Sequence, residues 1–309
     1  MINRLRILAK SLLPALPLAG PWFRDFFERR GRRYERRTRI DEARRRREIA
    51  SDWRRRTRDV LACPDNADIV RLPDAGRPLG NDIMMHNGTR IAYGTYGTYD
   101  TEHVMKMLEA NRGVHEPQEE KVFQQVLPLM PAGAVMFELG AFWGFYSLWF
   151  ARAVAGARCF LVEPSWANLN AGRLNFLLND ARATFIHAGV GKSPRRPPGK
   201  PPTVSVDQLV QEHGIEHLHL LHSDIQGFEL EMLHGAARAF DREIIDFVFI
   251  STHSNSLHEE CRGWLERRGW RVIADANLDE SYSVDGLIVA HRPEISAGEF
   301  RPISRRPSK

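Results

Sequence analysis

"FELGAFWGFYSLWF" (residues 137–150) starts apolar, places an acid at its second position and sets Gly140 and Gly144 four apart among bulky aromatics. A packed core alone needs no such combination. A strand that turns sharply into a helix over a bound ligand does: Gly140 permits the tight turn and close approach, and Gly144 lets the helix begin against the strand. A nicotinamide-binding turn would read G-x-G-x-x-G and rest a diphosphate on the helix N-terminus. Here Phe142 and Phe145 stand where its second and third glycines belong. That bulk leaves no room for a diphosphate and suits a ligand without one; the plain alternative is an ordinary strand–helix turn with Glu163 as a surface acid.

Downstream the chain alternates. Strand-like runs at 134–139, 157–163, 183–190, 218–224 and 245–252 are separated by helical runs at 145–155, 166–180, 205–213, 228–240 and 256–269. The pattern implies a parallel sheet covered on both faces. Two closing strands, 270–277 and 285–291, have no helix between them, so the last runs antiparallel. In such sheets ligands bind at the carboxyl ends of the strands. The notable polar residues fall there: Glu138 with Gly140, then Glu163, then Asp224, then His253 with Asn255. Glu163, ending the second strand, is placed to accept bonds from both hydroxyls of a ribose.

Upstream the character changes. Residues 1–60 carry nineteen basic side chains against eight acidic ones, a local charge of +11 that leaves −6 for the rest of a chain whose net charge is +5. Acid-first pairs such as Glu28–Arg32, Glu35–Arg39 and Asp52–Arg56 favour a long charged helix over 22–60. Its sparse apolar positions, among them Trp53 and Val60, make a thin docking stripe. The alternative is an electrostatic arm for anionic lipid or nucleic acid, with the aromatics at 22–27 as an interfacial wedge. Residues 61–112 form a turn-rich lead-in with short strands in "DIMMHNGTRIAYGTYG" (82–97) and a helix near 101–111, and 292–309 a flexible tail.

Lys10, Pro14 and Pro17 break the apolar run at the start, which argues against a secretory leader. No run reaches the ~18 apolar residues of a membrane span. Cys63, Cys159 and Cys261 lie far apart without C-x-x-C spacing. They point to a reducing, cytoplasmic setting, with membrane association through the arm as the variant, and away from disulfides or structural zinc. The histidines of "HGIEHLHLLH" (213–222) do not make a zinc cluster in a strand, because His217 and His219 share a face and His222 points away.

From Gly113 to His291 the sequence resembles the FkbM-type S-adenosylmethionine-dependent methyltransferases. The resemblance rests on "GVHEPQEEKVF" (113–123), "ELGAFWGFYSL" (138–148) against an acid-x-G-A-x-x-G loop, "VEPS" (162–165), "SDIQGFELEMLHGA" (223–236) and "DESYSVDGLIVA" (279–290). Phe142 departs from the small polar residue often found there. The resemblance implies an α/β, class I methyltransferase sheet of seven strands, order 3-2-1-4-5-7-6 with strand 7 antiparallel, in a domain spanning 113–291. It also implies S-adenosylmethionine as cofactor, held by Glu138, Gly140, Ala141, Gly144, Tyr146, Glu163 and Glu119.

Methyl transfer to oxygen requires acceptor, carbon and sulfur in line, and the removal of a tightly held proton. Asp224 and His253, at neighbouring strand ends, are the catalytic candidates. Either His253 is a general base oriented by Asp224, or the two, with Asn255, bind magnesium or manganese that acidifies the hydroxyl, or both are structural. Glu229 reads as an acid that braces the fold. The acceptor implied by the resemblance is a hydroxyl of a sugar, glycan or polyketide-like molecule. A nucleic-acid methyltransferase using the basic arm is the rival, disfavoured because no [DN]-P-P-[YF] stretch follows the fourth strand. A non-catalytic, methyltransferase-like binding protein is the third reading; it has no need of Gly140, Gly144, Glu163 and Asp224. The basic loop 192–200 has the charge to touch phosphate, but Pro194, Pro197 and Pro198 favour a solvated surface excursion.

Overall fold

The computed structural model describes residues 48–94, 101–295 and 298–307. Strand β3 (Val135–Leu139) is buried at all five positions, as a central strand covered on both faces must be. On one side β3 pairs in parallel with β4 (Arg158–Glu163), and β4 with β5 (Thr184–His187). On the other it pairs with β8 (Leu218–Ser223), which pairs with β9 (Ile245–Thr252). Strand β11 (Gly286–His291) runs antiparallel between β9 and β10 (Arg271–Ala276). The seven-stranded order, β10-β11-β9-β8-β3-β4-β5, is the class I order expected, with strand 7 reversed. Two short ribbons stand apart from it, β1 (Asp82–Met84) with β2 (Arg90–Ala92) and β6 (Gly189–Val190) with β7 (Thr203–Val204).

Alternation along β3 sorts its side chains onto two faces. Val135, Phe137 and Leu139 join Phe160, Leu221, Val248 and Ile250 in a buried hydrophobic core. That core is closed by helices α6 (Val206–Glu212), α7 (Glu229–Gly235), α8 (Ala237–Asp241) and α9 (Asn255–Glu266). The opposite face is aromatic and polar. There α3 (Pro117–Val126) and α4 (Phe145–Ala153) bring Phe123 to 5.5 Å from Phe249 and Tyr146 to 4.4 Å from His222, ring to ring. Helix α5 (Trp166–Leu178) follows β4, α2 (Thr101–Ala110) precedes α3, and the described residues 48–62 are helical, as α1. Ser165, Ser205 and Ser254 cap α5, α6 and α9 through bonds from Asn168, Gln208 and Leu257 N–H to their hydroxyls.

Three expected boundaries change. The arm at 1–60 lies outside the described residues as far as 47, while Trp53 and Val60 are buried in the compact unit that spans 53–309. The lead-in belongs to that same unit. The tail is pinned where residues 298–307 are described. Ser304 N–H donates to Asp65 at 2.8 Å, Gln118 Nε2 donates to the Ser304 carbonyl at 2.7 Å, and Lys121 Nζ donates to the Pro302 carbonyl at 2.7 Å. Its backbone bonds go to side chains, which a hydropathy pattern does not reveal. Among the described residues no helix is long and apolar enough to cross a membrane.

Candidate active site

The loop that follows β3 is built as its glycines require. Gly140 has φ +74°, and a Cβ there would lie 1.7 Å from the carbonyl oxygen of Asp224. The same closeness lets Asp224 N–H donate to the Leu139 carbonyl at 2.9 Å, which binds the ends of β3 and β8 together. Gly144, also at φ +74°, would drive a Cβ to 2.8 Å from Leu161. Phe142 adopts φ +46°, a left-handed conformation that costs a non-glycine residue about 1–2 kcal/mol. Glu163 Oε2 offsets part of that cost by accepting the Phe142 N–H at 3.0 Å. Its Oε1 accepts Ser165 N–H at 2.8 Å and Asn168 Nδ2 at 3.3 Å. A carboxylate offers about four lone-pair sites, so one on Oε2 remains available toward the cleft.

Not every residue assigned to cofactor contact by resemblance faces that cleft. Glu138 turns under the aromatic face and accepts the N–H groups of Tyr146 at 3.3 Å and Ser147 at 3.0 Å. It thereby caps α4, whose own N-cap glycine has no side chain to do so. Burial raises its pKa, against the pull of His222. Tyr146 donates its hydroxyl to Glu116 at 3.0 Å. Ala141 is buried, its N–H bonded to the Val162 carbonyl at 3.1 Å. Glu119 accepts from His222 Nε2 at 2.6 Å and Ser251 Oγ at 3.2 Å, so it is an interior brace. Gly140 and Glu163 do line the cleft.

At the far side Asp224 and His253 meet as expected, with His253 Nε2 3.2 Å from Asp224 Oδ1. Two further carboxylates join them. His253 Nδ1 lies 2.9 Å from Glu229 Oε1, and Nε2 lies 3.4 Å from Asp285 Oδ1. Burial disfavours a charged imidazole, but hydrogen bonds to Asp224 and Glu229 outweigh it and raise the pKa of His253 to about 10. Nδ1 is committed to Glu229, and Nε2 faces Asp224 and Asp285; in the protonated ring neither nitrogen keeps a lone pair for a substrate proton, whereas a neutral ring would keep the one on Nε2. The metal expectation fails at Asn255, which turns away to donate to Asp279 at 2.8 Å and accept Leu278 N–H at 3.0 Å. Among the described residues the cluster with ligand spacing is instead His217, His219 and Asp246, where Asp246 already accepts Arg292 Nε at 2.7 Å. Glu229 is the brace expected, fully buried and accepting Ile225 and Gly227 N–H at 3.2 Å each.

Asp285 is the residue that the strand-end argument passed over. Burial and then repulsion by Asp224 raise its pKa to about 7, with His253 pulling the other way. It precedes β11, and an antiparallel strand begins where its parallel neighbours end: Gly286 pairs with Thr252. An acid just before the last strand was therefore the available signal. Glu116 and Arg56 were also missed. They pair at 3.5 Å in the cleft wall. Burial would raise Glu116, yet the His115 imidazolium beside it and then Arg56 hold it down at about 2.

Gly140, Glu163, Asp224, Asp285, Glu116 and Arg56 are among the residues that line one cleft of about 1060 Å³ at the carboxyl ends of the parallel strands. The loop after β6 supplies Lys192, Ser193 and Arg195 to the same cleft. That corrects the reading of this loop as a mere surface excursion.

Among solved structures the chain resembles the precorrin-6y C5,15-methyltransferase of Geobacter metallireducens GS-15, at 16% identity and TM-score 0.41 over 57% of this chain and 88% of that one. It also resembles TrmK of M. capricolum in complex with S-adenosylhomocysteine, at 11% identity and TM-score 0.40 over 56% and 68%. A search of curated proteins finds no match. The model of the methyltransferase FkbM domain matches residues 82–272, well over half of the chain and beginning inside the lead-in. The chain belongs to the FkbM family of S-adenosylmethionine-dependent methyltransferases.

Proposed function

We propose that the protein methylates a hydroxyl group of a sugar, glycan or polyketide-like acceptor, with Asp285 taking the hydroxyl proton. The observation that carries this reading is the placement of Asp285 in the cleft beside His253 and Asp224, with a pKa raised to about 7 by burial and the Asp224 charge. A base poised near the working pH suits an acceptor that must lose a proton as it reacts. S-adenosylmethionine, when bound, supplies a methyl group carried on a sulfonium. The cradle fits it: Gly140 lets the loop after β3 close against Asp224 while lining the cleft, and Glu163 keeps acceptor capacity toward a ribose. Asp224 and Glu229 fix the His253 ring, and the imidazolium in turn holds Asp285 in place. Three buried, unbridged thiols support work in the cytoplasm. The arginine-rich arm supplies charge for peripheral contact with anionic lipid, and nucleic acid is the disfavoured acceptor.

The test is Asp285→Asn, assayed against a panel of hydroxyl acceptors. Turnover is expected to fall by ~10²–10⁴, and wild-type activity to rise with pH through about 7. Stability moves the other way. A carboxyl whose folded pKa is raised favours the fold below about 3.9, its unfolded value, and loses that contribution as pH rises through about 7. At pH 8 the Asn variant should therefore melt no lower than the wild type. Full turnover in the variant would remove Asp285 from the reaction.

A further inference from the structure

The cleft is rich in carboxylates: Glu116, Glu163, Asp224, Glu231 and Asp285 line it, and Arg56 is paired with Glu116 at 3.5 Å. The loop after β6 adds Lys192 and Arg195 to the lining, whose side chains make no ion pair or hydrogen bond among the described residues. Cations on a solvated loop ordinarily mean nothing, but this one is held. Arg195 and Thr203 exchange backbone bonds at 3.0 and 2.8 Å, and Gly191 N–H donates to the Val204 carbonyl at 3.0 Å. Helix α7 ends hard against the same loop: a Cβ on Gly235 would sit 2.4 Å from the Gly191 carbonyl oxygen and 3.2 Å from Lys192 Cα. Two cations are thus anchored on a ribbon that lines the cleft, with Ser193 and Thr203 also in the lining.

We infer that Lys192 and Arg195 form an anion subsite for a phosphoryl group carried by the hydroxyl acceptor. Arginine's fork and lysine's point charge with neighbouring hydroxyl donors match a phosphate's several oxygens better than they match a neutral sugar. The charges of the cleft then orient the acceptor. Its phosphoryl end is attracted to Lys192 and Arg195 and repelled by Glu116, Asp224 and Asp285, which directs the opposite, hydroxyl-bearing end toward Asp285. The glycine loop cannot be the phosphoryl site, because Phe142 and Phe145 occupy the positions a diphosphate cradle would leave empty. The inference rests on the hydroxyl-methylation reading for the acceptor's other end, and adds the chemical class of its anchor.

The experiment is calorimetric titration of the full chain with inorganic pyrophosphate and with glycerol 3-phosphate, each with and without saturating S-adenosylhomocysteine. One or both probes should bind the wild type at submillimolar concentration, and the tighter one tells a diphosphate from a monoester anchor. Lys192→Ala and Arg195→Ala should each weaken that binding about tenfold, as loss of a charge-assisted hydrogen bond does, and the pair about a hundredfold. Arg195→Lys should recover part of the loss. Because both side chains are exposed, the variants should melt with the wild type and bind S-adenosylhomocysteine unchanged. Pyrophosphate and glycerol 3-phosphate binding that survives in Lys192→Ala/Arg195→Ala would belong to the arginine-rich arm and overturn the subsite, as would no binding to the wild type at millimolar probe. Failure of the wild type to bind S-adenosylhomocysteine would sink the methyltransferase reading of the cleft instead, and the probe titrations would still judge the subsite separately.

Discussion

The two sides of the cleft are made in different ways. On the side of β3 and β4 the backbone is the device: Gly140 and Gly144 take left-handed conformations and sit where a side chain would strike Asp224 and Leu161. On the side of β8, β9 and β11 the device is a knot of charge, with His253 within 3.4 Å of Asp224, Glu229 and Asp285. The first kind tolerates no change of shape, and the second no change of charge. The difference predicts how each side breaks. Gly140→Ala should give the largest effect, because its Cβ must displace the backbone that joins β3 to β8. Binding of S-adenosylhomocysteine should be lost in calorimetry, with a lowered melting temperature. Normal binding by this variant would mean that the close approach to Asp224 does not shape the cofactor site.

That difference also explains what could be read from the residues. A glycine turn is local: Gly140, Gly144 and the strand before them lie within ten positions, so spacing alone exposes their role. Strand–helix alternation made the parallel sheet legible, while its order came from the resemblance to the FkbM family. A charge cage is nonlocal. Asp285 lies more than thirty residues from His253, and only the reversal of β11 brings it to the same sheet edge. Glu138 shows the converse error. It stands in the right motif, but strand alternation turns it to the aromatic face, where it caps α4. The fate of Asn255 was hidden by its bonds to the loop at 278–279. Pro194, Pro197 and Pro198 signalled a loop correctly, though not the cleft it borders.

A smaller effect tests the charged side. His253→Gln removes the positive centre from the cage and leaves Asp224, Glu229 and Asp285 facing one another. Breaking a buried ion pair from one side costs roughly 3–5 kcal/mol, and partial exposure of Asp224 and Asp285 puts the expected loss near the lower bound. The imidazole's folded pKa, about 10, lies above its ordinary 6.5. Its stabilisation is therefore complete below pH 6.5 and vanishes as pH rises through about 10. Urea denaturation at pH 6, 8 and 10 should show the gap between wild type and variant wide at the first two and narrowed at the last. A gap independent of pH would mean that His253 acts through packing, and the two sides of the cleft would then break alike.

The smallest effect belongs to the residue where the two devices meet. Glu163 is a charge, yet three of its bonds hold backbone and neighbouring side chains: Phe142 N–H, Ser165 N–H and Asn168 Nδ2. With about four lone-pair sites on a carboxylate, one ribose hydroxyl can bond without displacing anything, and the second must share with Phe142. Glu163→Ala should therefore weaken S-adenosylhomocysteine binding at least tenfold, in line with the 1.5–3 kcal/mol of a hydrogen bond to a charged group. Glu163→Gln separates the two functions. An amide oxygen in the Oε2 place can still accept Phe142 N–H and support its φ of +46°, but it lacks the charge that strengthens the ribose bond, and its NH2 then faces the Ser165 and Asn168 donors, so some loss of melting temperature is expected. If charge dominates, the Gln variant should bind almost as weakly as the Ala variant. If loop support dominates, Gln should restore affinity and Ala should lower both affinity and melting temperature. Unchanged affinity in both folded variants would take Glu163 out of the cofactor site and leave it as a brace for the glycine loop.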